Sequence, residues 1–338
     1  MPLQYGRVDG RLVWVRNPFT GAVTYFTDVH KKQSGFARRR QSAPASQPPD
    51  WQAAEAARLA ELEAARRDCP FCPGNEAMTT AEVMRVTAGE VGVANPSPWL
   101  IRAFRNLYPR VPEVCTGGRN ESYVVVEDPR HFADGARHHD ELLYTALLPR
   151  QQFRAVIRAD VAMARLAYQN AAVEAVLLRK NQGRESGASQ PHLHNQVIGC
   201  DQPFPPIVVE HTALQREPQL WREIIAFVEA EGFVVAARDG CVLYFCPFGV
   251  FPRSYEVVCL EAVGRITELP ETVLDSFADL LHEGLSILGP LPLDYEVHDG
   301  AGIPLHAHIC ARHFPYSNIG GTLNLPSDLA VTLHPPRP

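Results

Sequence analysis

The chain has no apolar run approaching the roughly 20 residues that a membrane-crossing helix requires, so no membrane is expected as a partner. It also lacks a cationic surplus. Lys and Arg number 32 against 38 Asp and Glu, which gives a formal net charge of -6 and a pI near 6.1. A broad nucleic-acid surface is therefore not expected, although one small anion site remains compatible with this balance. The first ten residues lack the charged-then-apolar pattern of a secretory leader, which makes the cytoplasm the expected compartment. Cysteine numbers eight in 338 residues, with no signal-like leader before them. In a chain of this length without a leader, Cys69, Cys72, Cys115, Cys200, Cys241, Cys246, Cys259 and Cys310 read as thiols or metal ligands rather than as a disulfide framework. No residue-level repeat is visible. What is present is ordinary for a soluble globular protein, 46% hydrophobic and 21% charged, with material for one large domain or two fused ones.

The most informative stretch is Asn181 to Gly199, a Gly- and Ser-rich loop running into a strand on which His194, Gln196 and Ile198 alternate with Asn195 and Val197. His192 and His194 are two apart, so on a strand their imidazoles share a face. The loop ahead of them suits an anion, because glycine lets the backbone N–H groups approach closely and serine adds a hydroxyl. An imidazole beside a phosphate cradle is a candidate nucleophile toward phosphorus. The plainer reading is an edge strand with two hydrogen-bonded histidines.

Around this centre the pattern alternates. Arg11 to Val15 and Ala22 to Thr27 read as a hairpin, and His30 to Asp50, with Lys31, Lys32 and Arg38 to Arg40, as a surface loop. Trp51 to Arg67 reads as a helix, followed by Cys69-Pro-Phe-Cys72, whose spacing suits two ligands of a tetrahedral zinc. Such a site needs two more ligands, and His131, His138 and His139 are all candidates. Trp99 to Phe104 and Tyr123 to Glu127 read as strands, with a turn at Asn106 whose amide could meet a ribose or base. Gln151 to Glu174 is an amphipathic helix and Ala175 to Arg179 a strand. Beyond the centre, Ile207 to Glu210 reads as a short strand, Gln215 to Glu231 as one helix, Phe233 to Ala237 and Cys241 to Phe245 as a hairpin, Tyr255 to Leu260 as a strand, and Pro270 to Leu288 as a helix. A second His-x-His, His306 and His308, follows His298; three imidazoles and a carboxylate would suit zinc or iron. The element pattern repeats, so the chain reads as two similar halves.

With these residues in view, the sequence resembles the galactose-1-phosphate uridylyltransferases of the histidine-triad superfamily. In that family the centre reads Asn-x-Gly-x-x-x-Gly-x-Ser-x-Pro-His-Pro-His-Gly-Gln; here Asn181, Gly183, Gly187, Ser189, Pro191, His192, Leu193, His194, Asn195 and Gln196 follow without a gap. The resemblance implies an α+β fold of two fused histidine-triad-like halves, residues 1–200 and 201–338, with mostly antiparallel sheets packed with helices. It implies His194 as the nucleophile that carries the nucleotide, Gln196 on the phosphoryl oxygens, and Asn106, Asn181, Gly187 and Ser189 around the nucleotide and its phosphates. It further implies a zinc held by Cys69, Cys72, His131 and His192, and a second zinc or iron held by Glu210, His298, His306 and His308. The implied activity moves a nucleoside monophosphate, UMP first, from a nucleotide sugar to a sugar 1-phosphate. The implied partners are those two small molecules, and family members are commonly homodimers. Phosphorolysis or hydrolysis within the superfamily, and a metal-stabilised nucleotide-binding module without catalysis, are the competing readings. Departures bear on base and sugar: Leu107 follows Asn106 where the family has Asp, Leu193 and Asn195 replace Pro and Gly, Phe132 to Arg150 is longer, and no hexose-contacting match follows Arg312 beyond Gly320 and Gly321.

Overall fold

Ten strands form one antiparallel sheet that carries the whole molecule, in a computed structural model describing residues 2–26, 51–249, 253–300 and 302–312. The first five are β4 (Glu82–Val86), β5 (Ile101–Arg105), β6 (Ser122–Val126), β7 (Ala175–Gln182) and β8 (His194–Cys200); the second five are β9 (Val234–Arg238), β10 (Cys241–Phe245), β11 (Ser254–Val263), β12 (Leu293–His298) and β13 (Pro304–Ala311). Their order is β4-β5-β6-β8-β7-β12-β13-β11-β10-β9. Each set of five is thus wired alike: three strands, a long helix, then two strands, the last inserted next to the third. Helix α3 (Arg150–Tyr168) interrupts the first set and α6 (Glu271–Leu288) the second. The sets join through the β7–β12 pair, from Leu293 opposite Gln182 to Val297 opposite Leu178. This is an α+β fold, as the family resemblance implies.

The helices cover one face of the sheet. Phe153, Val156, Ile157 and Ala164 of α3 pack with Val125, Leu178 and Val197, and Phe277, Leu281 and Leu285 of α6 with Leu243, Val257 and Ile309, in one continuous core. Gly284 permits this close approach, since a Cβ there would lie 2.6 Å from Ile309 Cδ1. The two helices are tied to each other by Arg154 on Asp279 and Arg158 on Asp275. The other face is left for the chemistry. On it, the turn after α1 (Trp51–Asp68) places Cys69, Phe71 and Cys72 against Phe104, Val124 and Val126.

A smaller sheet of β1 (Gln4–Val8), β2 (Arg11–Arg16) and β3 (Val23–Tyr25) contains the expected N-terminal hairpin plus one further strand. Two expectations fail between the central strand and β9. Ile207 to Glu210 is not a strand but part of helix α4 (Pro205–Arg216). Pro205 and Pro206 occupy its first turn, where a backbone N–H would have no intrahelical acceptor, so prolines that look like strand punctuation instead start a helix. The single helix expected from Gln215 to Glu231 is split, and α5 (Leu220–Ala230) begins after Pro218, which cannot continue α4. Cys241 and Cys259 face each other across β10 and β11 and are joined as a disulfide, where the sequence reading expects thiols or ligands. The candidate loop His30 to Asp50 and the Gly320–Gly321 pair lie outside the described residues, as does Thr27. Among the described residues no helix is long and apolar enough to cross a membrane.

Candidate active site and metal centres

The loop between β7 and β8 is built for close backbone approach. Gly183 and Gly187 adopt φ of 83° and 85°, flanking a short helical turn over Arg184–Ser186. Asn181 braces this loop from beneath by donating its amide N–H to the Ser186 carbonyl. Neither Asn181 nor Gly187 lines the cavity that follows, so the structure gives both a loop-shaping position.

That cavity, ≈ 500 Å³, is lined on one side by Ser189, Gln190, His194 and Gln196 and on the other by Asn106, Leu107 and Tyr108. His194 is buried, and its Nδ1–H donates to the carbonyl of His192 at 2.8 Å. This bond fixes the tautomer, leaving Nε2 with its lone pair. The Phe71 ring meets the imidazole edge-on at 5.2 Å. Burial lowers the His194 pKa to about 4, which favours the neutral ring. Asn106 Oδ1 accepts from the backbone N–H of Tyr108 at 3.0 Å, so this side chain also shapes its own turn. The cavity lining includes one cation, Arg110, and no carboxylate, which suits an anionic ligand.

Beside the cavity, Cys69, Cys72, His131 and His192 converge, all four buried. His192 Nε2–H donates to the Asp128 carbonyl at 2.8 Å, which turns Nδ1 toward Cys69 and Cys72 Sγ, each 3.5 Å away. His131 Nδ1 lies 3.4 Å from Cys72 Sγ. Hydrogen bonding from the neighbouring Cys72 thiol drives the Cys69 thiol far down and its own thiol up, so the pair shares one proton. Two thiols and two imidazoles, that of His192 with its tautomer fixed, match the donor set of a closed tetrahedral zinc site, in which an ion would take the place of that shared proton. His138 and His139, the alternatives to His131, are exposed and outside the cluster.

A second cluster gathers Glu210, His298, His306 and His308. Helix α4 lowers Glu210 onto β12 and β13, where both its oxygens lie 2.9 Å from His298 Nδ1 and one lies 3.2 Å from His308 Nε2. His306 donates Nδ1–H to the Pro304 carbonyl and His308 donates its own to Glu256, at 2.8 and 2.9 Å. The Nε2 atoms of both therefore point inward, and that of His306 is buried without a hydrogen-bond partner, 3.3 Å from Glu210. An orphaned imidazole nitrogen facing a carboxylate and two more imidazoles is the donor set of a zinc or iron site.

Several residues of these sites escape sequence reading. Phe71, Phe104, Thr79 and Thr80 line the cavity, yet nothing in their spacing marks them. Glu256 and Lys180 carry a signal of a kind, since each is a charged residue in a largely apolar strand and each is buried. Lys180 pairs with Glu127, and Asn195, opposite Lys180 in the sheet, donates to Asp160 of α3 at 2.7 Å.

The model of a domain of unknown function, DUF4921, matches residues 105–291, more than half of the chain. The chain belongs to the DUF4921 family. The matched span holds His131, the loop and strand from Asn181 to Gln196, and Glu210; Cys69, Cys72, His298, His306 and His308 lie outside it. No curated protein matches this DUF4921 member by sequence. Among solved structures it is similar to an ADP-glucose phosphorylase from Arabidopsis thaliana with bound ADP-glucose, at 18% identity over 95% of this chain and 97% of that chain, with a TM-score of 0.62. A GalT-like protein from Arabidopsis thaliana is similar at 19% identity over 79% of this chain and 91% of that one, with a TM-score of 0.59. A uridylyltransferase is similar at 20% identity over 94% of this chain and 96% of that one, with a TM-score of 0.55. At these identities the likeness is one of fold. The DUF4921 protein has the fold of the uridylyltransferases, as the resemblance in its sequence implies.

Proposed function

We propose that this DUF4921 protein is a nucleotidyltransferase that passes a nucleoside monophosphate through a covalent histidine. The observation that carries this reading is His194 Nε2, left with its lone pair by the Nδ1–H bond to His192 and set on a cavity shared with Ser189 and Gln196. A nucleotide sugar places its phosphates over the loop from Ser186 to Ser189. The Nε2 lone pair attacks the α-phosphorus, an N–P bond forms, and the P–O bond to the bridging oxygen breaks. The electron pair leaves on that oxygen, as a sugar 1-phosphate. Gln196 and loop N–H groups stabilise charge on the non-bridging oxygens. A phosphorylated acceptor then attacks the same phosphorus and releases His194. Asn106 meets the ribose or base. UMP as the transferred group and a sugar 1-phosphate as the acceptor are the leading assignment.

Inorganic phosphate as acceptor is the second reading, and the likeness to an ADP-glucose phosphorylase supports it, with AMP as the transferred group. Cys69, Cys72, His131 and His192 would hold a zinc that fastens the Cys-x-x-Cys turn to the start of β8, and Glu210, His298, His306 and His308 would hold zinc or iron. The reading includes halves at residues 1–200 and 201–338, a cytoplasmic setting and a homodimer. Intact-protein mass spectrometry after brief incubation with UDP-glucose, ADP-glucose and GDP-mannose in turn tests it. The expected result is a nucleoside-monophosphate adduct with one donor, absent in His194→Ala. An adduct that survives in that variant would refute the role of His194, and an acceptor screen with hexose 1-phosphate against inorganic phosphate separates the two acceptors.

A further inference from the structure

The two clusters differ in how they meet solvent. In the first all four ligands are buried and the sulfur–nitrogen set is complete for a tetrahedral ion, although Cys72 and His131 also border a cavity of ≈ 1170 Å³. The second borders a cavity of ≈ 450 Å³ whose wall includes Glu210, His298 and His308 but not His306. The His308 side chain is 27% exposed while those of His298 and His306 are at 4% and 0%, so the cluster is open on one side only. This cavity lies on β11, β12 and β13, the strands that correspond in wiring to β6, β7 and β8, which carry the His194 site. Its chemistry is the reverse of that of the His194 cavity. Glu256, Asp294 and Glu296 line it together with a single cation, Arg312, which already engages Asp294. Phe19, Phe248 and Tyr255 supply apolar wall.

We propose that the second cluster is a ligand-accessible metal centre, whose ion keeps one coordination position facing this cavity for a neutral oxygen or nitrogen donor. Three imidazoles and one carboxylate fill four positions, which leaves room for a further ligand on iron, or on zinc expanded to five ligands, and the side toward the cavity is where His308 is part-exposed. The carboxylates of the wall repel a free anion and accept hydrogen bonds from hydroxyl or N–H groups, so a polyol-like or amine-bearing molecule fits and a phosphate does not. Glu256 holds His308 in its ligating tautomer through Nδ1–H, a carboxylate–histidine arrangement that orients the ligand behind such an open position. The inference is independent of transfer at His194 and rests on metal loading of this cluster.

Cobalt substitution of the full-length protein tests it by spectroscopy. Cobalt at the first cluster is marked by intense thiolate charge-transfer bands, and cobalt at the second by visible bands that vanish in Glu210→Ala. Imidazole is the neutral probe and azide the anionic one. The expected result is a saturable shift of the second set of bands with imidazole, at a concentration about tenfold or more below that needed for azide. In Val209→Trp, which adds bulk to the cavity wall from α4 while keeping all four ligands, the bands should persist and the imidazole affinity should fall about tenfold or more. Three outcomes overturn the proposal: no bands that depend on Glu210, bands that imidazole leaves unmoved, or an imidazole response unchanged in Val209→Trp, which would mean displacement of a protein ligand instead of entry through the cavity.

Discussion

Replacing Lys180 with methionine should destabilise the protein in a way that depends steeply on pH. Lys180 on β7 and Glu127 beside β6 form an ion pair with both side chains 0% exposed. Burial pushes the Glu127 carboxyl up and the Lys180 ammonium down, and each is held charged chiefly by the other. Methionine keeps the length of the chain and removes the charge, so Glu127 is left to take up a proton. Relative to an unfolded value near 4.3, that uptake costs about 3.7 kcal/mol at pH 7 and about 1 kcal/mol at pH 5. The sign follows from the direction of the shift. A carboxyl whose folded pKa lies above its unfolded one loses stability as pH rises from the unfolded value toward the folded one. The loss relative to wild type should thus be small at pH 5 and reach about 3–4 kcal/mol at pH 7, within the range for breaking a buried pair. Adding Glu127→Gln removes the stranded charge while keeping an acceptor for the Thr145 hydroxyl, 3.2 Å away, and should bring stability back to within about 1 kcal/mol of wild type. Urea unfolding of the wild type, the single variant and the double variant at pH 5, 6 and 7 measures this. A loss that is the same at every pH, or below about 1 kcal/mol at pH 7, would show that the pair is not desolvated and would refute the reasoning.

Cys72→Ser should lower bound zinc by about one ion per chain, read by metal analysis, and cost several kcal/mol, because metal binding energy is folding energy. Phe277→Ala, at the fully buried centre of α6, should cost about 3–5 kcal/mol in urea unfolding with no change in bound metal; a cost under about 1 kcal/mol would contradict its place in the core. Gly187→Ala, at φ 85° with open space around a new Cβ, should cost about 1–2 kcal/mol through backbone conformation alone and weaken nucleotide binding by disturbing the loop.

Much of the scaffold was legible because periodicity acts locally. The amphipathic runs that became α3 and α6, and the alternation that became β8, need no partner to be recognised. The failures fell where neighbours decide. Ile207 to Glu210 is apolar enough for a strand, but Pro205 and Pro206 open a helix there, and only that helix delivers Glu210 to the histidines. A Cys-x-x-Cys spacing and two His-x-His motifs announce ligands without saying which histidine completes which set, because distances across a chain fold are not written in spacing. His131 rather than His138 or His139 reaches Cys72 because the backbone after β6 turns it inward.

The sequence by itself determined the residue types of the chemistry: an imidazole after a glycine-rich loop, two thiols on one turn, and a late cluster of histidines, each set by local chain geometry. Tertiary structure alone decided the rest. It set the tautomer of His194, since the accepting carbonyl is placed by the bend into β8. It decided that Lys180 and Glu127 would be buried together. And it left every ligand of one candidate metal cluster buried and one ligand of the other, His308, part-exposed, because burial depends on what distant strands and helices bring alongside.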